Sequence, residues 1–217
     1  MKDFPVFTTE HGVASLVLKE IPYQGAAYIT LRDSLEPELL LEECLQFCKL
    51  CGAERVYATG HEILEKRPLY TAMWQMRCLK DRLPDTDAAL WPVQDSTVSR
   101  WQALYNEKVV KLPNGAWMSQ KDAEQMLQKG DGYFVHRGQQ LLGIGRASGQ
   151  TLDFLAAFQP GAGEDVVCAL AHALTGDDAV LTVASTNEKA INLYQRLGFV
   201  KNQELSRWYV VAESEKK

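Results

Sequence analysis

The segment Val180–Phe199 reads VLTVASTNEKAINLYQRLGF, and it decides the fold expected for this chain. Its first residues alternate between large apolar and smaller or polar side chains, which predicts a β-strand. Apolar residues then recur from Ala190 to Leu197 at the spacing of a helix. Gly198 follows, and glycine readily takes the left-handed conformation that ends many helices. The segment therefore predicts a strand, a short amphipathic helix and a defined helix end.

Polar residues connect this strand to this helix. Ser185, Thr186 and Asn187 each offer a side-chain oxygen that could cap the helix. Glu188 lies three residues after Ser185, the spacing of a capping box. An Asn at the mouth of the helix and a Tyr at position 194 are more than a structural helix needs. We therefore expect this junction to contribute to a functional site.

The residues Asn187, Ala190, Ile191, Tyr194 and Gly198-Phe form a pattern that resembles the C-terminal motif of the GNAT superfamily of N-acetyltransferases. The resemblance implies an α/β fold with a mixed sheet, whose helix lies beside the pantetheine arm of acetyl-CoA. It implies that Asn187 hydrogen-bonds the cofactor or the acceptor. It also implies that Tyr194 is the general acid for the leaving thiolate. The alternative is that Tyr194 is a core aromatic residue of an amphipathic helix.

The composition narrows the function classes. The net charge of -5 gives no basic footprint for nucleic-acid binding. No apolar run approaches the roughly 20 residues that span a bilayer. The first residues, Met1 to Pro5, lack the apolar core of a signal peptide. We therefore expect a cytoplasmic enzyme that binds neither nucleic acid nor membrane.

Five cysteines are present, and three of them, Cys44, Cys48 and Cys51, fall on one predicted helix. Cys48 and Cys51 have the Cys-x-x-Cys spacing, but no second such pair accompanies them as a zinc site would need. They lie at a helix end, whereas a thioredoxin-like pair lies at a helix start. We expect small buried thiols in a reducing compartment and no metal.

Two domains are predicted. Residues 85–217 resemble a GNAT domain, with a strand near 88–93, helices near 96–109 and 119–128, a hairpin near 133–147 and a strand near 152–158. Residues 1–84 repeat a strand, helix, strand order, so we expect a truncated GNAT-like α/β unit. This unit has no glycine loop and no Asn…Tyr helix, so we expect it to be non-catalytic. The alternative is an unrelated small α/β extension.

The resemblance implies a cofactor loop between the strand at 152–158 and the next helix. Phe158-x-Pro160 looks like the strand exit of the family, and Gly161-Ala162-Gly163 looks like the end of its glycine loop. Glycines there allow backbone N–H groups to approach a pyrophosphate. We therefore expect Gly161, Ala162 and Gly163 to contact the cofactor. The alternative is an ordinary strand-to-helix turn.

This loop departs from the family pattern in two ways. It is short and lacks the basic residue of the family, since Phe158 stands at that position when the glycines are aligned. Glu164 and Asp165 also occupy the first turn of the following helix, where they suit the helix dipole but would repel a pyrophosphate. These features weaken the expectation of a cofactor site.

Acetyl transfer to an amine needs a donor to the thioester oxygen, a proton for the leaving thiolate and removal of a proton from the amine. The resemblance implies that backbone N–H groups around Ala156, Ala157 and Phe158 supply the first. Tyr194 would supply the second, with an ordinary pKa near 10 that suits a thiolate. Asp153 is the candidate general base, because it is the one carboxylate on an apolar strand.

Other roles stay open at this point. Asp153 is alternatively a solvent-exposed residue at a strand end, and water molecules held by Ser185 and Thr186 would then remove the proton. Trp117 lies in a loop beside Gly115, so we expect it to form a wall of the acceptor pocket. The sequence does not identify the acceptor or choose between a monomer and a homodimer.

The function expected is acetyl-CoA-dependent N-acetyltransfer to a primary amine of a small molecule or peptide. Transfer would be direct, because no cysteine lies where an acyl-enzyme would form. The alternative is a degenerate GNAT protein that binds acyl-CoA or another small ligand as a sensor. The acidic loop favours the sensor, whereas Asn187 and Tyr194 favour the enzyme.

Overall fold

The computed structural model describes residues 5–213, which form eleven strands, six α-helices and two short 3₁₀ turns. They divide into two compact units. Unit 1 contains the described residues up to Ala72 together with those from Leu205 onward, and unit 2 contains Met73–Glu204. The mixed α/β class expected from the sequence is confirmed.

Unit 1 is built from five strands and two helices. Its helices are α1 (Ile21–Gln24) and α2 (Pro37–Leu50). The strands, in the order in which they pair, are β1 (Val6–Thr9), β2 (Gly12–Val17), β3 (Ala26–Ser34), β4 (Arg55–Thr59) and the part of β11 (Val200–Glu213) that begins at Leu205. The first residues of β5 (Leu69–Leu79) also belong to this unit.

The core of unit 1 follows from the alternation of its strands. Ala27 and Ile29 of β3 and Val56 of β4 are fully buried on one face, where the apolar side of α2 covers them. Cys44 and Cys48 of α2 lie in this core, and burial raises the pKa of the two thiols to about 11 and about 12. The expectation of buried thiols is confirmed for Cys44 and Cys48 and is wrong for Cys51, which follows the last residue of α2 and is exposed.

Unit 2 contains the strands β5, β10, β9, β8, β7 and β6, in the order in which they pair, and also the first residues of β11. Its remaining strands are β6 (Ala89–Pro92), β7 (Gly132–Arg137), β8 (Gln140–Ser148), β9 (Thr151–Ala157) and β10 (Asp178–Ala184). Its helices are α3 (Val98–Val109), α4 (Gln120–Lys129), α5 (Gly163–His172) and α6 (Glu188–Arg196). One core cluster joins α3 and α4 to the sheet around Trp101, and another joins α5 and α6 around Leu170.

Close packing of α5 on the sheet depends on two glycines of β8. A Cβ at Gly145 would lie 2.1 Å from Leu170 Cδ1, and one at Gly143 would lie 2.6 Å from Val166 Cγ2. Because neither glycine carries a side chain, α5 packs directly against the strand. This contact fixes where the first turn of α5 begins.

The units do not coincide with the predicted domains. Residues 69–84 were expected in the N-terminal domain, whereas Met73–Leu79 belongs to unit 2 and pairs antiparallel with β10. The last strand was assigned to the C-terminal domain, whereas its residues from Leu205 belong to unit 1 and pair with β4. The division into a truncated unit 1–84 and a GNAT domain 85–217 stays a prediction.

Candidate active site

The two parallel strands β9 and β10 separate soon after they meet. Among the described residues they pair at two positions, Thr151 with Val180 and Leu152 with Leu181. The equivalent parallel pair of unit 1, β3 and β4, stays together over five positions from Ala26 to Thr30. An opening therefore forms in unit 2 beyond Leu152, at the carboxyl end of both strands.

The backbone of β9 presents hydrogen-bond donors to this opening. The N–H of Phe158 donates to the carbonyl oxygen of Leu142 at 2.8 Å. Because donors alternate along an antiparallel ladder, the N–H of Ala156 also points to β8. The N–H groups of Leu155 and Ala157 point the other way, toward the strand that has separated. Of the three predicted donors, Ala157 is available, and Ala156 and Phe158 are used within the sheet.

A cleft with a volume of about 710 Å³ occupies this opening. Its walls come from the end of β9, the loop to α5, the first turns of α5 and one face of α6. The apolar side chains that line it include Leu155, Phe158, Val166, Val167 and Leu193. Gly161, Gly163, Asn187 and Tyr194 also line it, so the structure brings these four predicted residues together.

The glycine loop leaves three donors open at the start of α5. Gly161 has φ +84°, a left-handed conformation that favours glycine. The helix then begins without a side-chain cap, and no described residue accepts from the N–H groups of Gly163, Glu164 or Asp165. Such open N–H groups at a helix N-terminus suit an anion. This geometry fits the diphosphate of a CoA thioester.

The cleft holds basic residues that the sequence analysis missed. Lys189 and Arg196 of α6 line it, and both are exposed. Lys108 of α3 does not line the cleft, but its Nζ lies 5.0 Å from the ring centroid of Phe158, which does. The positions Lys189, Leu193 and Arg196 follow the i, i+4, i+7 rule, so their common face could have been found from the sequence. The basic residue absent from the loop is thus replaced by cations on neighbouring helices.

The two acidic residues of the first turn are not equivalent. Glu164 lines the cleft and is exposed, whereas Asp165 is not part of the lining. The carboxylate of Asp165 accepts hydrogen bonds from Arg137 and Thr86. The repulsion expected for both carboxylates therefore falls mainly on Glu164.

Asn187 caps α6 and keeps its amide donor available. Its Oδ1 accepts from the N–H of Ala190 at 3.3 Å, and no described residue accepts from its Nδ2. The capping box expected from Ser185 and Glu188 is wrong, because the helix begins two residues later than that motif requires. Asn187 thus has one polar atom for the helix and one for a ligand.

Tyr194 is held in place by the end of α6. The N–H of Phe199 donates to the carbonyl oxygen of Tyr194, and the N–H of Gly198 donates to that of Gln195. These two bonds form a Schellman motif, which needs the left-handed φ of +87° that Gly198 adopts. The rings of Tyr194 and Phe199 lie 5.8 Å apart between centroids. The Gly-Phe pair of the sequence motif therefore positions the tyrosine.

The hydroxyl of Tyr194 has an altered acidity. Tyr194 is 8% exposed, and burial raises its pKa to about 12. No described residue hydrogen-bonds its hydroxyl. The pKa near 10 expected from the sequence is too low, because the apolar surroundings of the ring form only when the chain folds. At neutral pH the phenol therefore keeps its proton, and it is a weaker acid than a free tyrosine.

Five of the predicted site residues do not line the cleft: Asp153, Ala156, Ala162, Trp117 and Ser185. Asp153 is exposed, and its Oδ2 accepts a hydrogen bond from Ser148 at 3.0 Å. It lies near the start of β9, away from the end that opens. This placement matches the alternative in which Asp153 is a strand-end residue. The roles assigned to these five residues stay predictions.

The tryptophans of unit 2 differ in their surroundings. Trp101 is fully buried, and its Nε1 donates to the carbonyl oxygen of Tyr133 at 3.0 Å. Trp91 is 55% exposed and stacks on His136, with 4.5 Å between ring centroids. Trp117 is half-buried in the loop between α3 and α4.

Comparison with known proteins identifies the fold. The family model described as "FR47-like protein", a GNAT-related family, matches residues 157–209, which include the loop, α5, β10 and α6. No curated protein matches the chain in sequence.

None of the helices within residues 5–213 is long and apolar enough to cross a membrane.

Three solved structures are similar over most of the chain. A conserved protein of unknown function from Staphylococcus epidermidis has a TM-score of 0.62 at 11% identity, covering 96% of this chain and 93% of its own. A GCN5-related N-acetyltransferase from Sphaerobacter thermophilus has a TM-score of 0.56 at 12% identity, covering 94% and 78%. A tandem GNAT protein from the clavulanic acid biosynthesis pathway has a TM-score of 0.53 at 12% identity, covering 92% and 78%.

Proposed function

The chain has the GNAT fold, and from this premise we propose that it is an acetyl-CoA-dependent N-acetyltransferase that acts on a primary amine. One observation carries the proposal. The separation of β9 from β10 opens a cleft that brings Tyr194, Asn187 and the glycine loop together. A protein that uses this sheet only as a scaffold has no need for a strand pair that ends after two positions.

Different residues of the cleft bind different parts of the cofactor. The open N–H groups of the first turn of α5, with Lys189 and Arg196, hold its phosphates. The amide of Asn187 hydrogen-bonds the polar groups of the pantetheine arm, and Leu193 packs along it. When bound, acetyl-CoA supplies the acetyl group as a thioester.

The chain's own groups then act on the reacting atoms. The N–H of Ala157 donates to the oxygen on which negative charge develops as the amine attacks. The hydroxyl of Tyr194 donates to the departing sulfur, and its raised pKa ensures that the proton is present at physiological pH. The cleft lining includes no histidine and only the carboxylate of Glu164, so the proton of the amine leaves by one of the two routes that the sequence left open, Asp153 or water.

Two measurements test this function. Titration calorimetry with acetyl-CoA is expected to show micromolar binding to the wild type, and Gly163→Glu, which adds a carboxylate at the start of α5, is expected to abolish it. Release of free CoA thiol in the presence of a panel of primary amines then reports turnover. Tyr194→Phe is expected to lower kcat by about a hundredfold or more with little change in acetyl-CoA affinity.

A second function, a sensor that binds acyl-CoA without transfer, is favoured by Glu164 in the cleft. Tight binding with no thiol release for any amine, equally in the wild type and in Tyr194→Phe, would establish the sensor. If the folded wild type does not bind acetyl-CoA, the transferase and the acyl-CoA sensor are both wrong, and a sensor of another small ligand is the function that remains.

A further inference from the structure

The first turn of α5 combines two features that oppose each other. Its open N–H groups attract an anion, while Asp165 places a carboxylate on the same turn. If its charge were not compensated, the carboxylate of Asp165 would compete with a phosphate for these N–H groups. The structure resolves the conflict through a residue far away in the sequence.

That residue is Arg137, the last residue of β7. Its Nη2 donates to Oδ1 of Asp165 at 2.6 Å, and its Nε donates to Oδ1 of Asp87 at 2.7 Å. Thr86 donates its hydroxyl to the same oxygen of Asp165 at 2.9 Å. Two donors thus converge on one carboxylate, and one of them is a full positive charge.

The consequence is visible in the cleft. Glu164 and Asp165 are adjacent in the sequence, yet Glu164 lines the cleft and Asp165 does not. The side chain of Asp165 is 23% exposed and that of Arg137 is 45% exposed, so solvent and salt screen their interaction in part. Arg137 also lies outside the cleft lining. It therefore does not contact a ligand there and acts through Asp165.

We propose that Arg137 is a positioning residue for the anionic part of the cofactor, because it turns Asp165 away from the cleft and compensates its charge. This inference rests on the proposed function, in which the first turn of α5 holds the phosphates. Arg137 thereby does indirectly what a basic residue of the loop would do directly. It leaves Glu164 as the one carboxylate of the first turn that faces the cleft.

A purely structural role for Arg137 predicts different behaviour. Arg137 joins β7, α5 and the segment before β6, so its loss could weaken the packing of all three. In that case the effect on binding would not depend on salt, and removing the charge of Asp165 would not reverse it. An electrostatic role predicts that the weakening of binding depends on salt and that removing the charge of Asp165 reverses it.

The experiment measures acetyl-CoA affinity by calorimetry for the wild type, Arg137→Gln, Asp165→Asn and the double variant. At low salt, Arg137→Gln is expected to weaken binding roughly three- to tenfold. The double variant is expected to regain wild-type affinity, because no carboxylate then remains to be compensated. At about 0.5 M NaCl the difference between Arg137→Gln and the wild type is expected to shrink to less than twofold.

Two controls keep the result decisive. Asp87→Asn removes the other partner of Arg137 and leaves Asp165 compensated, so it should not weaken binding. Arg137→Lys keeps the charge and should bind within about twofold of the wild type, which matters if Arg137→Gln fails to fold.

Wild-type affinity in folded Arg137→Gln, or a weakening that the double variant does not reverse, overturns the inference but leaves the proposed function standing. If the wild type itself does not bind, the proposed function is wrong and the inference with it.

Discussion

The side chain of Tyr194 shows how burial changes a residue that the sequence motif already marks. Its ring lies in the core of unit 2 beside Phe199, while it also lines the cleft. Because an apolar environment penalises the phenolate, the pKa of the hydroxyl rises to about 12. The hydroxyl is therefore protonated at neutral pH, and its burial makes the unfolding free energy depend on pH in the alkaline range.

The sign of this link follows from the pKa of the two states. The folded state holds the phenol proton more tightly than the unfolded state, whose pKa is near 10. The stabilisation is thus complete below about pH 10 and is lost as pH rises toward 12. Tyr194→Phe is expected to lose this part of the alkaline decline, which is roughly 2 to 3 kcal/mol.

Urea unfolding between about pH 8 and pH 11.5 checks this expectation. The unfolding free energy of Tyr194→Phe should fall less steeply than that of the wild type over the alkaline range. Tyr23→Phe is the matched control, because Tyr23 is 51% exposed and should leave the wild-type slope unchanged. Equal slopes for Tyr194→Phe and the wild type would show that Tyr194 is not desolvated in the folded protein.

At the scale of an element, helix α6 has a single residue, Asn187, that serves both its stability and the cleft. Oδ1 caps the helix, whereas Nδ2 is free for a ligand. Asn187→Asp keeps an acceptor for the cap and removes the amide donor. Asn187→Ala removes both. The two variants therefore separate the structural role from the binding role.

We expect Asn187→Ala to lower the unfolding free energy by about 1 kcal/mol, while Asn187→Asp stays close to the wild type. Both variants should weaken acetyl-CoA binding, because both lose the amide donor. Thermal unfolding and calorimetry on the same samples provide the two readings. Wild-type affinity in Asn187→Asp would contradict a role of the amide in the cleft.

Local signals predicted much of this architecture. The segment at 180–199 has the strand, helix and left-handed glycine that its pattern indicated, and the helix expected near 119–128 is present as α4 with Ser119 as its N-cap. These features depend on neighbours within a few residues, so a single sequence contains them. The strand β1 (Val6–Thr9) was missed.

The chemistry of the cleft was predicted less completely, and for a physical reason. Which N–H groups of β9 face the opening depends on the hydrogen-bonding phase with β8, which the side-chain pattern does not contain. The compensation of Asp165 by Arg137 joins residues 28 positions apart in the sequence. Contacts of this kind arise only when the sheet has assembled, so the loop looked more acidic in the sequence than it is in the cleft.

At the scale of the whole molecule, the boundaries of the two units differ from those of the predicted domains. In unit 2, Met73–Leu79 pairs with β10 at seven positions, from Asp178 to Ala184. A fragment of residues 85–217 lacks this strand and leaves β10 with an open edge. We therefore expect this fragment to aggregate or to unfold without a cooperative transition.

A fragment of residues 68–217, which keeps β5, is the matched comparison. It should show a cooperative urea transition by circular dichroism and remain soluble at concentrations at which 85–217 precipitates. A cooperative transition in 85–217 as well would contradict the importance of β5 for unit 2 and would support the domain boundary predicted between residues 84 and 85.

The pairing of β11 with β4 also bears on the order in which the chain is made. A ribosome releases the protein from its N-terminus, and domains commonly fold in that order as they emerge. Here the strand that completes the sheet of unit 1, Leu205–Glu213, is synthesised after every residue of unit 2. The edge of β4 stays without this partner until those residues have been synthesised. The unit that begins first is therefore the one that finishes last, and the nascent chain must keep an incomplete sheet soluble until its final strand arrives.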